Sequence, residues 1–338
     1  MGLEIFNKNQ YKLVDDSYSY SYPNNTTFAV FTSIDNILIL VYSNIRNSIV
    51  SYNVVDNKKI IEIKKAHKSN VNNFKHHLDK NNNNDLLISM SAIDMNMKLW
   101  KVDNWECLIN INKVGFLFSA CFIIDNNQTY IMTGNVFIKV YDLKGKIIKE
   151  LKEPNDTTYV IESYYDKNLS KNFIITGNED HVKSFDYNNN AKLYHNYYCG
   201  EDGEEENIPH YGLIIYNSEN CTKLIETSMD GYIRIWNFHT GNLLISIKAG
   251  YTVIPGNISK KIKNMEILCG ICLWNDKFLF AGCNKIIKII ELKNGNIIKT
   301  IYGENIQTIK KINHPKFGEC LIIQGNECSK IELLKIKI

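Results

Sequence analysis

The chain has 338 residues, 44% of them apolar, and a formal net charge of +3. That is enough apolar material for a sizeable core, and a charge so near balance excludes the electrostatic footprint of a nucleic-acid or membrane-surface protein. Only Arg46 and Arg234 are arginines among the 39 basic residues, so a site of several converging guanidinium groups is excluded by count.

The opening, Met1-Gly2-Leu3-Glu4-Ile5-Phe6, has neither a cationic leader before an apolar run nor the hydroxyl residue of a myristoylation signal. No apolar stretch nears the roughly 18–20 residues of a membrane helix. A cytoplasmic or nuclear protein is expected. Residues 3–14 read as a strand with no sheet of its own. The aromatic run Tyr18-Ser19-Tyr20-Ser21-Tyr22-Pro23 reads as a linker lying on the rim.

A repeat then begins. One frame, an Asp or Asn turn leading through alternating residues to an aromatic or aliphatic anchor, recurs along the chain. It ends at Tyr52-Asn53, then runs from Asp94 to Trp100, from Asn135 to Tyr141-Asp142, and ends again at Phe185-Asp186. The clearest copy runs Ser228-Met229-Asp230-Gly231 to Trp236. Asn284 leads to Ile290-Glu291, and the last copy ends near Leu333 or Leu334. Asp-Gly between alternating runs is a hairpin signal. The spacing of roughly 40–54 residues matches a four-stranded blade of a propeller. Apolar runs such as 117–123 with 129–133, and 157–164 with 172–176, precede the anchor. A further run follows it, as at 146–151, 242–248 and 296–302. No segment carries a helical apolar period.

The last copy shows three strands, at 307–313, 320–324 and 329–338. The strand at 3–14 is therefore expected to supply the fourth, alongside residues 331–337, closing the ring and removing exposed sheet edges. The expected fold is all-β: a seven-bladed β-propeller of four-stranded antiparallel blades, one domain over residues 1–338.

These residues resemble the WD-repeat family over essentially the whole chain, sharply in the fifth unit, moderately in the second and in eroded form elsewhere. The resemblance implies a structural tetrad of His, Ser or Thr, Asp and Trp within a blade. On the fifth it would be His210, Ser228, Asp230 and Trp236. On the second it would be His67, Asp94 and Trp100, with Ser89 or Ser91 as the hydroxyl. The resemblance implies a scaffold or adaptor that binds other proteins or peptides by its top face and rim. An obligate subunit of a larger complex, such as a ubiquitin-ligase substrate receptor, a coat or an RNA-modifying assembly, is the alternative, and an enzyme a third.

Motifs for chemistry are few. Cys269-Gly270-Ile271-Cys272 lacks the second pair that structural zinc needs and falls in an expected strand, so no metal site and no cofactor are expected. The nine cysteines are scattered and read as reduced thiols. His76-His77, ahead of a Lys- and Asn-rich run, read as a solvated loop. No serine-nucleophile elbow, phosphate-binding glycine loop or zinc-protease helix occurs, and no catalytic residue is assigned. Two joining loops stand out. One carries Glu201, Asp202, Glu204, Glu205 and Glu206, the other Lys260, Lys261 and Lys263. On adjacent blades they would lie side by side on the top face, as a candidate partner-binding edge, as mutually neutralising charge, or as solvated charge.

Overall fold

The computed structural model describes residues 10–14, 28–80, 82–112, 114–115, 117–154, 157–179, 181–198, 209–218, 220–249, 268–283, 286–302, 306–325 and 331–335. These form seven antiparallel sheets of four strands, without a helix among the described residues. In six sheets the strands follow chain order. In the seventh, Ile306–His314, Gly318–Gly325 and Ile331–Lys335 are completed by Gln10–Val14, which pairs with Ile331–Lys335 through Gln10 to Leu334 and Lys12 to Glu332. Segments near both ends of the chain thus share one blade, and residues 3–9 of the expected strand lie outside the described residues.

The first strands of neighbouring blades approach one another all the way round, so each blade's first strand is innermost. The core lies between blades. Seven apolar clusters fill the seven interfaces, including one that joins Phe28, Leu40 and Tyr42 of the first blade to Ile312, Ile322 and Leu333 of the seventh. The closing interface is therefore packed like any other.

Strand geometry explains the sequence pattern. Successive side chains leave a strand on opposite faces. Leu224 packs toward the fourth blade and the adjacent Ile225 toward the sixth, both fully buried. A strand buried on both faces reads as a nearly continuous apolar run, as the second strands do here. Outer strands have one free face, and Ile60, Leu108, Ile148, Leu244 and Ile298 are exposed there.

The residue after the anchor shapes the turn that follows. Asn53 accepts hydrogen bonds from the N–H groups of Val55 and Asp56, Asp142 from Lys144 and Lys146, and Asn237 from His239 and Thr240. A short acceptor there replaces backbone partners that the turn removes. Shortly after it the chain takes a positive φ, met by Gly145, Gly241 and Gly295 (φ 82°, 71° and 75°).

One expectation fails here. His76 and His77 are not in a loop but in the strand Asn73–Asp79. His76 stacks on Phe31 at 3.6 Å and bonds Asp85 at 2.7 Å, while His77 stacks on Phe122 at 4.9 Å. The polar composition of the following run hid a strand whose histidines are used as flat aromatic surfaces.

Candidate functional site

In the second blade the Trp100 indole N–H donates to the Ser89 hydroxyl at 2.8 Å, and His67 Nε2 lies 2.7 Å from the same oxygen. The hydroxyl accepts from tryptophan, which leaves its proton for Nε2 and places the imidazole proton on Nδ1. That nitrogen faces Asp94 at 3.9 Å. Asp94 accepts a hydrogen bond from the N–H of Lys68 at 2.8 Å, which ties the linker to the hairpin. Burial, helped by Lys98 and opposed by Asp94, pushes His67 down to about 4. Ser91, the other hydroxyl considered, is buried with no hydrogen-bond partner.

The fifth blade is built differently, and the network expected there needs correction. His210 Nδ1 bonds Glu226, and the Trp236 indole nitrogen has no partner. Ser228 donates to Asp230, while Arg234 donates to Ser228 at 2.7 Å, to Glu226 at 3.4 Å and to Asp230. Strand register gives the reason. Ser89 lies opposite Lys98, two residues before Trp100, and Glu226 lies opposite Arg234, two residues before Trp236. Glu226 thus occupies the place of the tetrad hydroxyl. A fully buried carboxylate must be paired, and it takes both Arg234 and His210. Burial opposes charge on Asp230, but Arg234, Ser228 and the Tyr232 N–H outweigh it and hold the carboxyl below its usual range. The sequence signal for this cluster is Glu226 two residues before Ser228, in step with one of only two arginines.

Elsewhere the anchor position is partly served. Tyr141 reaches the Thr133 hydroxyl from the tryptophan position of the third blade. Lys98 and Lys288, each two residues before an anchor, donate to the carbonyls of Ala66 and Ala249.

The same register locates a ring in the central channel. The residue before each anchor faces a second-strand residue, which faces one inner-strand position: Ala29, Lys75, Cys121, Glu162, Ile214, Cys272 and Lys310. Periodicity alone could not show this ring, because it depends on pairing offsets and not on residue spacing. Lys75 of the second blade crosses to Glu162 of the fourth, with Nζ at 2.5 and 2.7 Å from the two carboxylate oxygens. Burial works against the Lys75 charge, but Glu162 more than offsets it and raises its pKa. Lys310 is held below the usual lysine range by burial and then by Lys75. The Cys121 and Cys272 thiols are pushed up, chiefly by burial.

Above the ring lies a cavity of about 140 Å³, lined by Lys75, Glu162 and Lys310 and by the upper ends of the inner strands, including Ser119, Gly212 and Gly270. Its mouth is on the face that carries the second-to-third-strand hairpins and the blade-joining linkers. There Phe118, Tyr159 and Tyr211, from three consecutive blades, form an arc. Phe118 and Tyr159 have centroids 5.2 Å apart, and Tyr159 meets Tyr211 edge-on at 5.4 Å. The Tyr159 hydroxyl donates to Glu179 at 3.1 Å. This arc escaped the sequence reading, because each ring sits one residue ahead of, or at the start of, an inner strand, in a different blade.

Glu201, Asp202, Glu204, Glu205, Glu206, Lys260, Lys261 and Lys263 all lie outside the described residues. Among the described residues no group of His, Cys, Asp and Glu has the arrangement of a metal site, and no helix is long and apolar enough to cross a membrane. No protein-family model matches the sequence, and no curated protein is significantly similar to it.

Proposed function

We propose that this chain is a non-catalytic scaffold or adaptor of the WD-repeat type, a single unit over residues 1–338, which binds other proteins or peptides by the top face of its propeller. The observation that carries this reading is the aromatic arc Phe118, Tyr159 and Tyr211 at the mouth of an accessible channel. Aromatic side chains supply large contact area at low entropic cost, and tyrosine is enriched where interfaces concentrate their energy. A rigid ring fixes these residues from three blades at once, which suits recognition of a partner of defined shape. The hydrogen-bonded His67, Ser89 and Trp100, with Asp94 at 3.9 Å from the imidazole, support the family reading.

Two alternatives fit less well. An obligate subunit would hide a contiguous apolar patch, whereas the exposed aliphatics of the outer strands come one or two to a blade, as Leu108 in the second and Leu243 with Leu244 in the fifth. An enzyme would draw on the channel ring, but its glutamate is engaged by Lys75 and its thiols are displaced away from the reactive thiolate. We place the protein in the cytoplasm or nucleus, where its free thiols would stay reduced.

The test is affinity purification from native cells with the unaltered chain and with Phe118→Ser combined with Tyr159→Ser. One or more proteins should co-purify with the first and be lost with the second. Isolation of the unaltered chain alone under mild conditions, or partners indifferent to the double change, would contradict the proposal.

A further inference from the structure

The upper channel holds a lysine, Lys310, that makes no ion pair among the described residues. Lys75 and Glu162 neutralise each other across it. Lys310 lies at the same height on the seventh blade, lines the same cavity, and has no ion pair among the described residues. The floor of this cavity therefore holds two lysines against one glutamate, one basic group in excess. Ser119, Gly212 and Gly270 line the walls above it. At about 140 Å³ the cavity is near the size of one that holds a benzene ring. It suits a single inserted side chain and is too small for a folded element. Above it, the half-buried rings of Phe118 and Tyr159 flank the mouth, with Tyr211 buried against Tyr159.

We propose that the channel receives an Asp or Glu side chain from an extended acidic segment of a partner protein, with the Lys310 ammonium as its counter-ion and the aromatic arc holding the flanking residues. This rests on the top-face reading above and names the chemistry of the partner. An ammonium acts as a point charge and takes a carboxylate without the paired geometry that a guanidinium imposes. The bond would be charge-assisted and partly shielded from water, the setting in which such bonds are strongest. An arriving carboxylate also relieves the repulsion that Lys75 exerts on Lys310.

The experiment uses the full chain and pools of fluorescent, amidated pentapeptides with random flanks and a central Glu, Gln, Lys or phosphoserine. Binding is read by anisotropy. The Glu pool should bind about tenfold more tightly than the Gln pool, a comparison that needs no altered protein. Lys310→Met should bring the two pools within about twofold of each other, and Lys310→Arg should keep most of the preference. Glu162→Gln, which frees Lys75, should tighten the Glu pool by about threefold or more. Equal binding of Glu and Gln, a preference that survives Lys310→Met, or a phosphoserine pool favoured without Glu-over-Gln discrimination overturns the inference. A native partner lost with the Phe118 and Tyr159 changes but fully held by Lys310→Met overturns this inference alone. A partner indifferent to both overturns the scaffold reading with it.

Discussion

The second and fifth blades have the same strand order and the same anchor tryptophan, yet they meet the same need with opposite chemistry. In the second, a neutral hydroxyl at Ser89 accepts from Trp100 and orients a neutral His67. In the fifth, a carboxylate at Glu226 stands in the corresponding place and is held by Arg234 and His210, while Trp236 lacks a partner for its indole nitrogen. Glu226 in place of Ser89, with Arg234 in place of Lys98 opposite it, turns a chain of neutral hydrogen bonds into a buried ion cluster. The tryptophan is kept in both because it fills the inter-blade core, next to Val102 and Trp105 in one case and to Phe238 and Tyr197 in the other. Its hydrogen bond is used in only one.

Both networks depend on a closed ring, so the largest effect should come from opening it. Deleting residues 1–14 removes the strand that pairs with Ile331–Lys335 and exposes an edge. At about 2–4 °C per kcal/mol, a loss of roughly 4 kcal/mol would lower Tm by about 10 °C. An unchanged Tm in calorimetry would show that the packed interface of first and seventh blades holds alone. Next in size is Arg234→Met, which leaves the buried Glu226 with His210 alone and takes the guanidinium from the buried Asp230, and should cost about 3–5 kcal/mol in denaturant unfolding. The matching Lys98→Met in the second blade should cost far less, since Lys98 serves a backbone carbonyl and the face of Trp100 and leaves no buried carboxylate behind.

The third prediction separates the blades by pH. The folded-state pKa of His67, about 4, lies below its ordinary 6.5, so the unfolded chain binds the proton more tightly. The neutral network therefore contributes fully above about pH 6.5, and its contribution fades as pH falls toward 4, by about 3 kcal/mol in all. Stability measured against pH for the unaltered chain and for His67→Gln should show this slope in the first and not the second. Parallel curves would mean that His67 is not held neutral. The smallest effect is the most specific. Trp100→Phe and Trp236→Phe remove similar volume, but only the first strips a donor from Ser89, so it should cost about 1 kcal/mol more.

Much of this architecture can be read from the sequence. The blade period, the anchors at 52, 100, 141, 185, 236, 290 and 334, and the closing strand follow from alternation and turn chemistry, because strand periodicity and Asp or Asn turns are local properties. What escapes is decided between strands. Nothing local distinguishes Ser89 from Ser91 as the tryptophan's partner until second and third strands are in register. His210 lies opposite Ser228 in the inner strand as the tetrad reading needs, but its ring bonds Glu226, which only the folded register reveals. The channel ring and the aromatic arc bring together residues about one blade apart in sequence, and only ring closure makes them neighbours.

The central claim is that a partner seats on the top mouth of the channel. Hydrogen–deuterium exchange of the full chain, alone and with its co-purified partner, tests it most directly. Protection should gather at residues 117–120, 158–162 and 209–213, with the outer strands unchanged. Protection confined to outer strands such as Glu106–Asn112 and Leu243–Lys248 would contradict the account and move the binding surface to the rim.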